Sequence, residues 1–117
     1  MKRDFTYIDD IIDGILLVIE RPPVAYSPPT SNAIAPFEIL NIGNNQPVTL
    51  NKFICSIEDA LGKKAVRKNQ PMQSGDVPIT FANIDPIAEK YGFKPQISIE
   101  NGMKNFVDWY LNTTAGI

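Results

Sequence analysis

The sequence predicts an α/β domain that is mostly helical, with a few short strands. Three observations carry that expectation. Three stretches repeat apolar residues at helical spacing, and each is bounded by a cap, a proline or a glycine. Two shorter runs, Phe37–Gly43 and Ala65–Asn69, are bounded by turn residues and read as strands. The ten prolines fall between these stretches rather than inside them, so the elements are separately bounded.

The first helix is predicted from Ile8 to Glu20, with Ile8, Ile11, Ile12, Ile15, Leu16 and Ile19 as its apolar stripe. Thr6 and Asp9 have capping-box spacing, and Pro22-Pro23 ends the helix. Residues 22–36 form a Pro/Ser/Thr/Asn loop that is long for a compact domain and marks a functional or mobile connection. Phe37–Gly43 follows as a mostly buried strand, ended by Gly43-Asn44-Asn45. Thr49 caps a second helix with Leu50, Phe53, Ile54, Ile57 and Leu61 on one face, and Gly62 stops it. After Ala65–Asn69 comes a turn-rich segment through Pro71, Gly75 and Pro78. Asp85-Pro86 starts a short helix that Gly92 ends. Ser98 caps the last helix, whose face holds Ile99, Met103, Phe106, Val107 and Tyr110, widened by Trp109 and Leu111. Two strands alone make a poor sheet. A run as apolar as Phe37–Ile42 implies neighbouring strands that this chain does not contain.

Bulk properties exclude several classes. At 117 residues the chain reads as one domain, 1–117, able to bury roughly 65% of its unfolded surface. The net charge of −2 comes without a basic block, which argues against a nucleic-acid partner. The longest apolar run, Ile15–Ile19, is far too short to span a membrane. No signal peptide is visible, and the single cysteine, Cys55, forms no internal disulfide; both point to the cytoplasm. The absence of histidine removes the commonest general base and metal ligand.

Four short motifs occur in order: Arg3-Asp4-Phe5-Thr6-Tyr7-Ile8-Asp9-Asp10, Asn41-Ile42-Gly43, Gly75-Asp76-Val77-Pro78 and Tyr91-Gly92-Phe93-Lys94-Pro95. Together they resemble the C-terminal region of the extended short-chain dehydrogenase/reductases. Within these the likeness is to the NAD-dependent nucleotide-sugar epimerase/dehydratase group, and most to UDP-glucuronate 4-epimerase-like proteins. It runs from Lys2 to about Tyr110 and leaves out the proline-rich loop. The fold it implies is the substrate-binding part of such an enzyme, without the main Rossmann sheet.

The resemblance assigns site residues. Arg3 would lie near the diphosphate of a nucleotide-sugar, where a guanidinium offers permanently charged donors. Asp76 would accept hydrogen bonds from ribose hydroxyls, and Gln73 would meet the diphosphate or ribose. The family often carries arginine where Gln73 stands; glutamine can bond without the charge. Asp4, Asp9 and Asp10 do not read as a metal cluster, because no histidine or cysteine is near and Asp9 and Asp10 fall where acids offset a helix dipole. Phe5, Tyr7 and Cys55 read as packing residues, and Asn44-Asn45 as a turn.

The family's catalytic parts are absent. No Gly-x-Gly-x-x-Gly or Gly-x-x-Gly-x-x-Gly loop occurs. Four residues after Tyr7, Tyr26, Tyr91 and Tyr110 stand Ile11, Thr30, Pro95 and Thr114, none of them lysine. The expectation is a non-catalytic, substrate-binding fragment. It would bind a UDP-sugar and hold no cofactor or metal, and NAD would belong to a full-length parent. That parent would interconvert UDP-glucuronate and UDP-galacturonate on a polysaccharide pathway. The alternatives are another nucleotide-sugar epimerase or dehydratase, and a non-catalytic module that assembles as a homodimer.

Overall fold

The computed structural model describes residues 1–24 and 36–114. Its elements in chain order are β1 (Lys2–Arg3), α1 (Ile8–Glu20), β2 (Val48–Thr49), α2 (Leu50–Leu61), β3 (Ile79–Thr80), α3 (Asp85–Tyr91) and α4 (Ile99–Thr114). Most of the predicted 22–36 loop lies outside the described residues.

Local signals produce the helix ends. The Thr49 hydroxyl accepts from the Lys52 amide at 3.2 Å, and Gly62 closes α2 in the left-handed region at φ 64. Gly92 does the same for α3 at φ 73. The Ser98 hydroxyl accepts from the Asn101 amide and starts α4. The Thr6/Asp9 capping box does not form: the N-cap of α1 is Tyr7, without a side-chain cap bond.

The three strands make one small sheet in the order β2-β1-β3. β1 pairs antiparallel with β2 and parallel with β3, with Arg3 opposite Val48 and Thr80. The Lys2 amide donates to the Pro78 carbonyl at 2.8 Å, which brings the residue 71–78 turn against the start of the chain.

Two packed regions flank this sheet. On one side Ile84, Ile87, Tyr91 and Phe93 form a buried cluster, covered by Leu17, Val18, Leu40, Ile42 and Ala82. On the other side α2 packs on α4, with Phe5 stacked on Phe53 at 4.3 Å and Lys52 paired with Glu100 across the helices.

Three sequence expectations are corrected. Phe37–Gly43 forms no strand, because no described residue offers it a ladder. Ala65–Asn69 is also irregular and solvent-exposed. The α1 stripe is not core: Ile8, Ile12, Ile15, Leu16 and Ile19 are all exposed. The helix buries the opposite face, Asp10 and Gly14, with Leu17 and Val18 against the cluster. Gly14 permits this approach, since a Cβ there would meet Ile42 and Phe93 at 3.2 Å.

Candidate functional site

Arg3 and Asp76 meet on one solvent-facing surface. Guanidinium Nη2 lies 3.6 Å from Asp76 Oδ1, with the two side chains 28% and 44% exposed. The guanidinium is aimed by backbone: Nη1 donates to the carbonyls of Val77 at 2.8 Å and Lys2 at 2.9 Å. Nε and Nη2 make no hydrogen bond among the described residues. Asp76 sits in a tight turn, its amide donating to the Gln73 carbonyl at 3.2 Å, with Gly75 at φ 92. Gln73 therefore lies on the same turn, with its amide group exposed and unbonded among the described residues.

An exposed pair at this separation contributes about 0–1 kcal/mol to stability. The arrangement does little to hold the fold together. What it offers is a fixed cation with spare donors beside a carboxylate with spare acceptor sites, able to receive a phosphate and hydroxyls side by side.

Neighbouring polar residues serve the frame. Asp4 Oδ2 accepts from the amides of Asn45 at 2.9 Å and Ala82 at 3.3 Å, and Oδ1 from Gln46 at 3.2 Å. That carboxylate ties three chain segments together directly behind Arg3. Gly43 completes the joint, because a Cβ there would lie 2.6 Å from the Ala82 Cβ. Asp10 is 2% exposed and accepts from the amides of Gln96 and Ile97 at 2.9 and 3.0 Å. Asp9 remains in the first turn of α1, exposed. Phe5 stacks on Phe53 and Tyr7 packs on Gly102. Asn45 takes a positive φ of 54, as a turn asparagine does. No cluster of acidic or cysteine side chains able to hold a metal occurs among the described residues.

Glu58 is a buried charged residue that sequence reasoning passed over. Only 6% exposed, it accepts from the Ala65 amide at 3.0 Å and pairs with Arg67 at 3.0 Å and Lys64 at 3.2 Å. The Ala65 amide first, then Arg67, hold its carboxyl down at about 2. An i, i+6 and i, i+9 spacing from an acid to Lys64 and Arg67, across the Gly62 stop, was the available signal.

A sizeable hollow lies away from the Arg3–Asp76 surface. A groove of about 670 Å³ runs between α2 and residues 63–70, floored by Leu50, Ile54, Ile57 and Leu61. Beside Arg3 the hollow is only about 80 Å³, lined also by Met1, Phe5, Val48, Leu50 and Phe53. Ligand pockets usually measure about 300–1,000 Å³. The floor of the larger groove is apolar, its rim carries Lys63, Lys64, Arg67 and Lys68, and its buried acid, Glu58, is already bonded to the Ala65 amide, Lys64 and Arg67.

No known family profile matches the chain. It is 42% identical over 117 residues to "Protein CapI" of Staphylococcus aureus, a match covering 95% of this chain and 35% of that protein. It is 44% identical over 117 residues to the "Probable UDP-glucuronate 4-epimerase" of Rhizobium meliloti, covering 94% and 34%. In structure it matches the UDP-glucuronic acid 4-epimerase from Bacillus cereus solved in complex with NAD, with a TM-score of 0.72 and 27% identity, over 99% of this chain and 32% of that one. The chain thus spans about a third of the length of the curated relatives it matches.

Proposed function

Because the chain belongs to the nucleotide-sugar epimerase/dehydratase family of extended short-chain dehydrogenase/reductases, we propose that it acts as one nucleotide-holding subdomain, 1–117, of a UDP-sugar 4-epimerase. Arg3 contacts the diphosphate, Asp76 accepts from the ribose hydroxyls, and Gln73 adds a neutral hydrogen bond from the same turn. The sugar is a hexuronate, in keeping with the relatives named for UDP-glucuronate. The chain itself does no redox chemistry, and NAD serves the whole enzyme, as the neighbour solved with NAD suggests. No helix among the described residues is long and apolar enough to cross a membrane. A cytoplasmic role in surface-polysaccharide synthesis fits a sugar nucleotide as ligand.

The observation that carries this reading is the 3.6 Å approach of Arg3 to Asp76, two residues far apart in sequence that the sheet brings to one exposed surface. Calorimetric titration with UDP tests it. Saturable binding in the millimolar range or tighter is expected, since one wall of the pocket gives less than full affinity. A folded sample that takes up no heat at several millimolar UDP overturns the assignment. A second reading, an assembly module, draws on the uncovered apolar stripe of α1. Light scattering decides between a monomer and a homodimer.

A further inference from the structure

β1 and β3 pair over two residues only, Lys2 with Ile79 and Arg3 with Thr80. A ladder that short carries little register information. Register matters here, because each residue of slip moves a strand by about 3.3 Å. That is nearly the whole 3.6 Å separation of Arg3 from Asp76. Asp76 and Val77 run into β3 directly through Pro78. A slip would therefore carry off both the carboxylate beside Arg3 and the Val77 carbonyl that receives Arg3 Nη1 at 2.8 Å.

Two ties hold this pairing at its ends. At one end the Lys2 amide donates to the Pro78 carbonyl at 2.8 Å. At the other the tie is a side chain: Asp4 Oδ2 accepts from the Ala82 amide at 3.3 Å, just beyond β3. The same carboxylate accepts from the Asn45 and Gln46 amides at 2.9 and 3.2 Å, just ahead of β2, so it holds both neighbours of β1. An ionised carboxylate only accepts, which suits three amide donors. Asp4 enters no ion pair among the described residues, and its bonds go to backbone. Gly43 makes room for the joint, since a Cβ there would lie 3.1 Å from Asp4 Oδ2 and 2.6 Å from the Ala82 Cβ.

We propose that Asp4 is the residue that positions the Arg3–Asp76 pair. By tying the Ala82 amide to β1 it keeps β3 in register, and so sets the spacing and aim of the guanidinium and the carboxylate. The identity of the ligand rests on the nucleotide reading above; the geometry rests on the Asp4 bonds alone. A sign separates positioning from a mere effect of charge. Asp4 follows Arg3 directly, so its negative charge opposes an anion held by the guanidinium. Through charge alone, its removal would tighten UDP binding. Positioning demands the reverse.

Asp4→Ala and Asp4→Asn are made in the full chain, with Glu58→Gln as a control that loosens the fold away from the pair. UDP titration followed by NMR is expected to show Asp4→Ala about three- to tenfold weaker than the parent chain, with Asp4→Asn between the two. Hydrogen exchange is read on the same samples without UDP. The Lys2 amide, which Asp4 does not touch, exchanges about tenfold faster or more in Asp4→Ala, while the α2 and α4 amides keep their protection. Gly43→Ala, which leaves Asp4 in place but wedges its joint with Ala82, gives the same local exchange, and Glu58→Gln moves neither reading. Should Asp4→Ala not fold, Asp4→Asn carries both tests. Tighter or unchanged UDP binding in Asp4→Asn, an unchanged Lys2 amide, or exchange that quickens evenly along the chain each overturns the proposal. A parent chain that takes up no UDP, with the local exchange response intact, counts against the nucleotide reading alone and leaves Asp4 as the positioning residue.

Discussion

Two carboxylate–cation clusters in this molecule use the same chemistry to opposite ends. Glu58 is closed: three donors lie within 3.2 Å and the side chain is 5% exposed. Asp76 is open: its cation stands 3.6 Å away and the side chain is 44% exposed. A saturated carboxylate fastens the end of α2 to the chain that follows it. An unsaturated one, beside a guanidinium already anchored through its other nitrogen, is left with bonding capacity to give a ligand. Readiness to bind is read from what a charge still lacks, and not from the presence of the charge.

The sharpest way to break that comparison is to remove the open acid. Asp76→Ala is expected to weaken UDP binding by about 1.5–3 kcal/mol, roughly 10- to 150-fold by calorimetry, and to leave Tm within about 2 °C. An unchanged affinity would show that the open acid is merely solvated. Arg3→Lys keeps the charge but loses the fork that reaches Lys2, Val77 and Asp76 together. UDP affinity falls by a smaller factor, about five- to tenfold, with less salt-resistant binding. Glu58→Gln reverses the pattern: UDP affinity stays within twofold while Tm falls by about 5 °C, because Lys64 and Arg67 lose their counter-charge.

The gentlest probe is pH. The folded Glu58 carboxyl sits at about 2 against an ordinary 4.5. A depressed acid stabilises the fold above the unfolded value and loses that contribution as pH falls through the folded one. The Tm gap between the parent chain and Glu58→Gln is therefore full above about pH 5 and closes between pH 4.5 and 2. A gap that widens on acidification would contradict the closed assignment.

The same contrast separates what the sequence discloses from what it hides. Thr49, Gly62, Gly92 and Ser98 act within a few residues of themselves, so the ends of α2 and α3 and the start of α4 were legible. Arg3, Gln73 and Asp76 were named only through a family likeness, because nothing local marks positions that meet through a sheet of two-residue strands. The face that α1 buries was misread for a related reason. Periodicity favours the isoleucine stripe, but Asp10 and Gly14 form the contact, and their reason is the distant amides of Gln96 and Ile97 and the ring of Phe93. Phe37–Ile42 reads as a strand in composition and in side-chain alternation. Its ladder depends on backbone that the described residues do not supply.

The three strands are only two residues long, yet they join positions 2–3, 48–49 and 79–80. Such pairings form only after long stretches of chain have been drawn together, at a loop-closure cost that local helices never meet. The approach of Arg3 to Asp76 is thus expected late in folding, and a spectroscopic label that senses the two residues together is a clock for the closing of the chain.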